Sequence, residues 1–240
     1  MIALFTDFGW NGPYVGQMHA VLAEGPVPVE VIDLMHDAPQ YDPRAAGHLL
    51  AALVPRMPAG TVFVAVVDPG VGTDRRGIVV EVDGYWFVGP DNGLLDVVTA
   101  RAPEPGWWRI ERSPSTDSAT FHGRDLFAPV AAAIARGEVV PGEPVEAAPA
   151  ASAADELGEV IYIDDYGNAC TGLHPPPSDE APLSVSGREL PRACTFADVA
   201  PGEPMWLVNS IGLVEIAVNQ GDAADELSLD IGSPVRWKSA

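Results

Sequence analysis

TVFVAVV, residues 61–67, is an unbroken run of apolar and β-branched residues that leads directly into the loop DPGVGTDRR, residues 68–76. A run without polar alternation is typical of a strand buried on both faces, as at the centre of a parallel sheet. Strand and helix patterns alternate on either side of it. The predicted strands are Ile2–Phe5, Val29–Leu34, Gly77–Val82 and Tyr85–Val88, and the predicted helices are Tyr14–Leu22, about Asp42 to Leu53 and about Arg124 to Arg136.

This alternation predicts an α/β domain with a central, mostly parallel sheet over residues 1–137. Residues 138–156 are rich in Pro, Ala and Glu, and we interpret them as a linker. Short strand patterns separated by turns then predict a smaller all-β domain over residues 157–240. Its expected strands are Glu159–Ile163, Asn168–Leu173, Leu183–Val185, Met205–Val208, Leu213–Val218 and Val235–Trp237.

The composition limits the possible partners. With 34 acidic and 13 basic residues, the chain has a net charge of −21, which would repel a phosphate backbone and favours a cationic small molecule over nucleic acid. No apolar run reaches the roughly 18 residues of a membrane span. The first residues lack the pattern of a secretory signal, so we expect a cytoplasmic protein. We also expect buried thiols at Cys170 and Cys194 and, because no ligand motif is present, no metal.

Polar residues follow two of the predicted strands, where ligands bind in open α/β sheets. Asp7, in the segment TDFG, could accept hydrogen bonds from a ribose diol, or it could simply cap the next turn. Asp68 and Arg75 lie seven residues apart in a glycine-containing loop and can pair across it. That pair could orient a reacting group, or it could be a structural salt bridge.

Two more segments could carry chemistry. His122, in FHGRD before the last helix of the first domain, could carry a proton near neutral pH or be a structural imidazole. In the second domain, IDDYGN at 163–168 and NSIG at 209–212 place an aromatic ring beside Asp and Asn. A stacking face with edge hydrogen bonds suits adenine recognition, although Tyr-Gly-Asn is also a common turn.

Taken together, these segments resemble the S-adenosylmethionine hydroxide adenosyltransferases, relatives of the fluorinating and chlorinating S-adenosylmethionine enzymes. The similar segments occur in the family's order over nearly the whole chain: FTDFG (5–9), YVGQMHAVL (14–22), VVDPGVGTDRRGIVVE (66–81), VGPDNGLL (88–95), FHGRD (121–125), YIDDYGN (162–168) and NSIGLVEIAVNQG (209–221). The resemblance implies an α/β domain followed by a β-rich domain, and a homotrimer with sites between subunits.

The resemblance also implies roles for individual residues. A catalytic set falls on Asp68, Arg75 and His122. Asp7 is expected to hold the ribose hydroxyls, with Phe8 beside it. The residues expected to meet the methionine or adenosine portions of the substrate are Asp164, Tyr166, Asn168, Ser210 and Glu215, and the tyrosine stands where the family often has phenylalanine.

The resemblance predicts an enzyme that hydrolyses S-adenosylmethionine to adenosine and methionine by in-line attack of water at the ribose 5′-carbon, without a metal or other cofactor. One alternative is a protein that binds adenosine or S-adenosylmethionine without turning it over. Another is a halogenase, which Asp68 disfavours because its negative charge would stand where a halide must bind.

Overall fold

A seven-stranded sheet forms the first part of the computed structural model, which describes residues 1–111, 118–138, 140, 142–146, 153, 155–176 and 182–238. Its strand order is β2-β1-β3-β5-β4-β6-β7. Strands β2, β1, β3 and β5 run parallel, and the remaining three pairings are antiparallel. The strands are β1 (Ile2–Thr6), β2 (Val31–Met35), β3 (Val62–Val66), β4 (Gly77–Val82), β5 (Tyr85–Pro90), β6 (Gly106–Ile110) and β7 (Glu143–Pro144).

Among the described residues, four α-helices accompany this sheet: α1 (Tyr14–Leu22), α2 (Pro43–Leu53), α3 (Asp96–Ala100) and α4 (Ala128–Ala135). Helices α1 and α4 contact each other, and α4 also contacts β1, β3 and β5. The core between them includes Leu4, Met18, Val64 and Phe127, all fully buried. Because β3 is buried on both faces, the continuous apolar pattern of TVFVAVV is satisfied at every position.

Two antiparallel sheets form the second part of the chain, with strand orders β12-β13-β9-β8 and β11-β10-β14. The fully buried Trp206 is the largest side chain of its core. A single α-helix, α5 (Ala223–Leu227), and a 3-10 turn at Phe196–Asp198 accompany these strands within residues 155–176 and 182–238. The strands are β8 (Leu157–Ile163), β9 (Ala169–Gly172), β10 (Leu183–Val185), β11 (Arg188–Leu190), β12 (Pro204–Val208), β13 (Val214–Val218) and β14 (Val235–Trp237).

The described chain divides into two compact units, one of residues 1–50 and 57–154 and one of residues 51–56 and 155–240. The α/β and β-rich classes predicted for the two parts are confirmed. Part of the segment interpreted as a linker lies outside the described residues, and Glu143–Pro144 within that segment forms β7. No helix among the described residues is long and apolar enough to cross a membrane.

The structure adds detail that the sequence patterns did not predict. The helix expected from Arg124 begins as a π-helical turn, Gly123–Phe127, and continues as α4 with Pro129 in its first turn. Because proline has no amide proton, position 129 donates no hydrogen bond to the π-helical turn that precedes it. Cys170 is buried, as expected, but Cys194 is exposed, which corrects the prediction of two buried thiols.

Candidate active site

The loop after β3 folds back so that Asp68 and Arg75 form a two-point ion pair. Arg75 Nε donates to Asp68 Oδ1 at 3.2 Å, and Arg75 Nη2 donates to Asp68 Oδ2. The side chains are only 6% and 8% exposed, so the pair is shielded from water. Arg75 Nη2 also lies 3.0 Å from Nδ1 of the buried His122, so the structure brings all three expected catalytic residues together.

The guanidinium of Arg75 is held on several sides. Its Nη1 donates to the backbone carbonyl of Arg76 at 2.6 Å, and the cation lies 5.4 Å from the ring centre of Phe127. Because a guanidinium can only donate, Nδ1 of His122 must be the acceptor in their hydrogen bond. His122 is therefore the neutral tautomer that carries its proton on Nε2.

A cavity of about 90 Å³ lies beside this ion pair and is lined by Asp68, His122, Asp7 and Phe8. Asp7 follows β1 and Asp68 follows β3, and because these strands are parallel neighbours, both carboxylates lie at the same edge of the sheet. Burial raises the pKa of Asp7. The backbone amides of Asp7 and Tyr41 oppose that increase, and the charge of Asp68 adds to it.

The raised pKa of Asp7 predicts that Asp7→Asn stabilises the protein at neutral pH. The folded state holds the proton of Asp7 more tightly than the unfolded state, so this group's contribution to stability is complete below its unfolded pKa. The contribution is lost as the pH rises through the raised folded pKa. A neutral amide has no such loss, so urea unfolding at pH 7 should occur at a higher midpoint in Asp7→Asn. The difference should vanish below about pH 3, where aspartate is protonated in both states. A lower midpoint at pH 7 would contradict the prediction.

The second unit contains a larger cavity, of about 760 Å³. All five residues expected to meet the substrate in this unit line it: Asp164, Tyr166, Asn168, Ser210 and Glu215. Tyr166 is 79% exposed, which leaves its ring face available for stacking. Asp164 Oδ1 accepts hydrogen bonds from the amides of Tyr166 and Asn168, and its Oδ2 accepts one from Asn168 Nδ2 at 3.0 Å. Asp164 therefore shapes the loop that presents Tyr166.

The polar wall of this cavity is built on β13 and the turn before it. Asn209 Nδ2 donates to Glu215 Oε2 at 3.2 Å and contacts the sulfur of Cys170 at 3.4 Å. Burial raises the pKa of Glu215, with the Asn209 hydrogen bond opposing and the charge of Asp164 adding to the increase. Burial also raises the pKa of the Cys170 thiol to about 12, so this cysteine is no nucleophile at neutral pH.

Several cavity-lining residues were not predicted from the sequence. Tyr41 lines the smaller cavity, is 78% exposed and has a positive φ of 59°, which no local motif indicates. Phe196 and Cys194 line the larger cavity, and the CTFAD segment that carries them (194–198) could have been noticed as an aromatic residue within a capping box. No group of three or more metal-ligating side chains occurs within the part of the chain that the structure describes.

Comparison with known proteins assigns the family. Residues 2–142 match the model of the SAM hydroxide adenosyltransferase N-terminal domain, and residues 158–236 match that of the C-terminal domain. The (R)-S-adenosyl-L-methionine hydrolase of Thermus thermophilus is 39% identical over 98% of each chain. A fluorinase of Actinopolyspora mzabensis is a more distant relative, 26% identical over 98% of this chain and 96% of its own.

A solved structure has a similar fold. An uncharacterised conserved protein from Thermotoga maritima superposes with a TM-score of 0.88 at 33% identity and with complete coverage of both chains. The two domain models together cover most of the sequence, in the order in which the two folds occur. The chain belongs to the SAM hydroxide adenosyltransferase family.

Proposed function

We propose that this protein hydrolyses S-adenosylmethionine to adenosine and L-methionine, and that its substrate is the (R) epimer named for its relative from T. thermophilus. The observation that carries the proposal is the shielded ion pair of Asp68 and Arg75, bonded to His122 beside a cavity that Asp7 also lines. A binding protein has no need for a carboxylate held so firmly beside a cavity that can admit water.

The proposed reaction is a displacement at the 5′-carbon of the ribose. The water oxygen forms a bond to this carbon as the bond to sulfur breaks, and the electron pair of that bond stays on the sulfur. The sulfonium thus becomes the neutral thioether of methionine, so the leaving group needs no proton. The attacking water must lose one proton, and the charge of the sulfonium is cancelled during the step, which a water-poor site favours.

Asp68 is the proposed acceptor of that proton. Arg75 occupies one direction at each carboxylate oxygen, and each oxygen retains a second lone pair for a water molecule. The cavity of about 90 Å³ has room for that water. Arg75 fixes the carboxylate and stabilises a developing hydroxide, and His122 holds the guanidinium in place through Nδ1.

The remaining residues are proposed to bind the substrate. Asp7 accepts hydrogen bonds from the ribose hydroxyls, with Phe8 packed beside the sugar. The residues of the larger cavity contact the methionine and adenosine portions: Asp164, Tyr166, Asn168, Ser210 and Glu215. We further propose a homotrimer with sites between subunits and a reaction that needs no metal. A cytoplasmic location is also proposed, because the free thiols of Cys170 and Cys194 suit a reducing compartment.

The test is a product analysis with purified protein, the separated (R) and (S) epimers, a chelator and water enriched in ¹⁸O. We expect equal amounts of adenosine and methionine, faster turnover of the (R) epimer, and one ¹⁸O atom in the 5′-hydroxyl of adenosine. A 5′-halo-adenosine formed when chloride or fluoride is added would identify a halogenase instead. Both epimers recovered intact, with one bound to the protein, would identify a binding protein.

A further inference from the structure

A hydrogen-bonded chain behind the Asp7 loop centres on a histidine that the reaction does not use. His36 directly follows β2 and is fully buried. Its Nδ1 lies 2.7 Å from Oγ1 of Thr6, and its Nε2 lies 3.0 Å from Oδ1 of Asp33. Thr6 is also fully buried and is the last residue of β1, immediately before Asp7.

The direction of these hydrogen bonds follows from the groups involved. Burial raises the pKa of Asp33, but hydrogen bonds from His36 and His19 outweigh it and lower the pKa overall, so Asp33 is a carboxylate that can only accept. His36 therefore donates from Nε2. In the neutral tautomer, Nδ1 of His36 then accepts a hydrogen bond from the hydroxyl group of Thr6. Both histidines point to the same carboxylate oxygen, Oδ1 of Asp33.

The chain ends at the backbone of the substrate-binding loop. The Phe8 amide donates to Thr6 Oγ1 at 3.3 Å, and the Gly9 amide donates to the His36 carbonyl at 2.6 Å. The Ala38 amide in turn donates to the Thr6 carbonyl at 3.1 Å. The edge of the Trp10 ring system packs against the imidazole, with 4.7 Å between ring centres. The backbone on both sides of Asp7 is thus tied to His36 or to its partner Thr6.

We propose that His36, oriented by Asp33, is a positioning residue that sets the direction of the Asp7 carboxylate through Thr6 and thereby controls recognition of the ribose diol. The inference rests on the proposed function, because it takes the ribose as the ligand of Asp7. A loop held only by its own residues could satisfy the fold. The amides of Asp7 and Tyr41 hold the carboxylate directly, and the chain from Asp33 through His36 and Thr6 holds the backbone that carries it. A bidentate contact with two neighbouring hydroxyls depends on the angle that this backbone sets.

The test compares nucleosides rather than reaction rates. Binding of adenosine and of 2′,3′-dideoxyadenosine is measured by calorimetry for the wild type, His36→Phe, Thr6→Val, Thr6→Ser and His19→Phe. We expect the wild type to prefer adenosine by roughly 100-fold, because two hydrogen bonds to a carboxylate are at stake. His36→Phe and Thr6→Val should reduce this preference to about 10-fold or less. Thr6→Ser should retain the preference for adenosine because the hydroxyl group remains. His19→Phe should also retain it, because the hydrogen bond between His36 and Asp33 is still present.

The ratio of the two affinities distinguishes positioning from general damage. Partial unfolding lowers the fraction of competent protein equally for both nucleosides and leaves the ratio unchanged. An unchanged ratio in His36→Phe would overturn the proposal. If the wild type binds neither nucleoside, the product analysis still decides the proposed function, and amide hydrogen exchange decides the positioning role. Faster exchange at Phe8 and Gly9 in Thr6→Val, but not in Thr6→Ser, supports that role, and equal exchange in all variants refutes it.

Discussion

Asp68→Asn is expected to lower kcat by about 1,000-fold, a loss typical of removing a positioned base or charge. The amide keeps the shape of the carboxylate but lacks the basicity needed to take the proton of the attacking water. It also lacks the charge that orients Arg75, whose side chain is only 8% exposed. The dissociation constant for substrate should change little, because Asp68 is proposed to contact the water rather than the substrate. Single-turnover kinetics with a binding titration would separate the two quantities.

Arg75→Ala should cause a similar loss, and the neighbouring Arg76 provides a matched control. Arg76 is 60% exposed and pairs with Asp91 at 3.2 Å, at a position outside the proposed reacting set. Arg76→Ala should therefore keep nearly full activity. Combining Asp68→Asn with Arg75→Ala should cost little more than either change alone, because the two residues act as one unit. Full activity in either single variant at position 68 or 75 would show that the ion pair is only structural.

Gly89→Ala is expected to lower the free energy of unfolding by about 3 kcal/mol, since a methyl group has no space there. Gly89 lies in β5, and a Cβ atom at this position would come within 2.3 Å of the carbonyl oxygen of Ala65 in the adjacent β3. The oxygen belongs to the backbone of a strand that is buried on both faces, so it can retreat only if the two strands separate. Urea unfolding with a comparison of midpoints and slopes measures the effect.

The same substitution at Gly16 should have the opposite sign. Gly16 is exposed in the first turn of α1, and an added Cβ atom would meet nothing within 4 Å. Gly16→Ala should therefore stabilise the protein by about 0.5–1 kcal/mol, because alanine loses less backbone entropy in a helix. If Gly89→Ala unfolded at the wild-type urea concentration, the close approach of β5 to β3 would be wrong.

Much of the fold could be predicted because the signals are local. The apolar, β-branched composition of TVFVAVV is typical of a buried strand. Asp83-Gly84 predicts the hairpin of β4 and β5, because Asp-Gly tolerates the positive φ angles of 50° and 80° that this turn requires. The π-helical turn at Gly123–Phe127 and the pairing of β6 with β7 were not predictable in this way. They depend on contacts between distant segments, and neither has a periodic pattern of its own.

The candidate site, like the fold, could be predicted only where its contacts are local in the sequence. Asp68 and Arg75 are seven residues apart, so their pairing could be foreseen from one loop, and the loop did form the pair. His36, by contrast, belongs to no motif that the sequence shows. Its partner Thr6 is thirty positions away, and they meet only because β1 and β2 pair in parallel with Ile2 opposite Val31. Sequence reasoning could not supply that register, so the network was missed.

The order of strands in the larger sheet also determines how much of the chain must be synthesised before the protein can be active. Strand β1 is made first, but its neighbour β3 pairs Ile2 with Val62, so about sixty residues must be synthesised before this contact can close. The reacting side chains stand at positions 68, 75 and 122, and the last of these follows every strand but β7 in that sheet. Contacts so distant along the chain form late in folding. A nascent chain that ends before FHGRD therefore lacks the complete reacting set. The proposed substrate-binding residues Asp164 and Glu215 are made later still, so we expect activity only after the second unit has been synthesised.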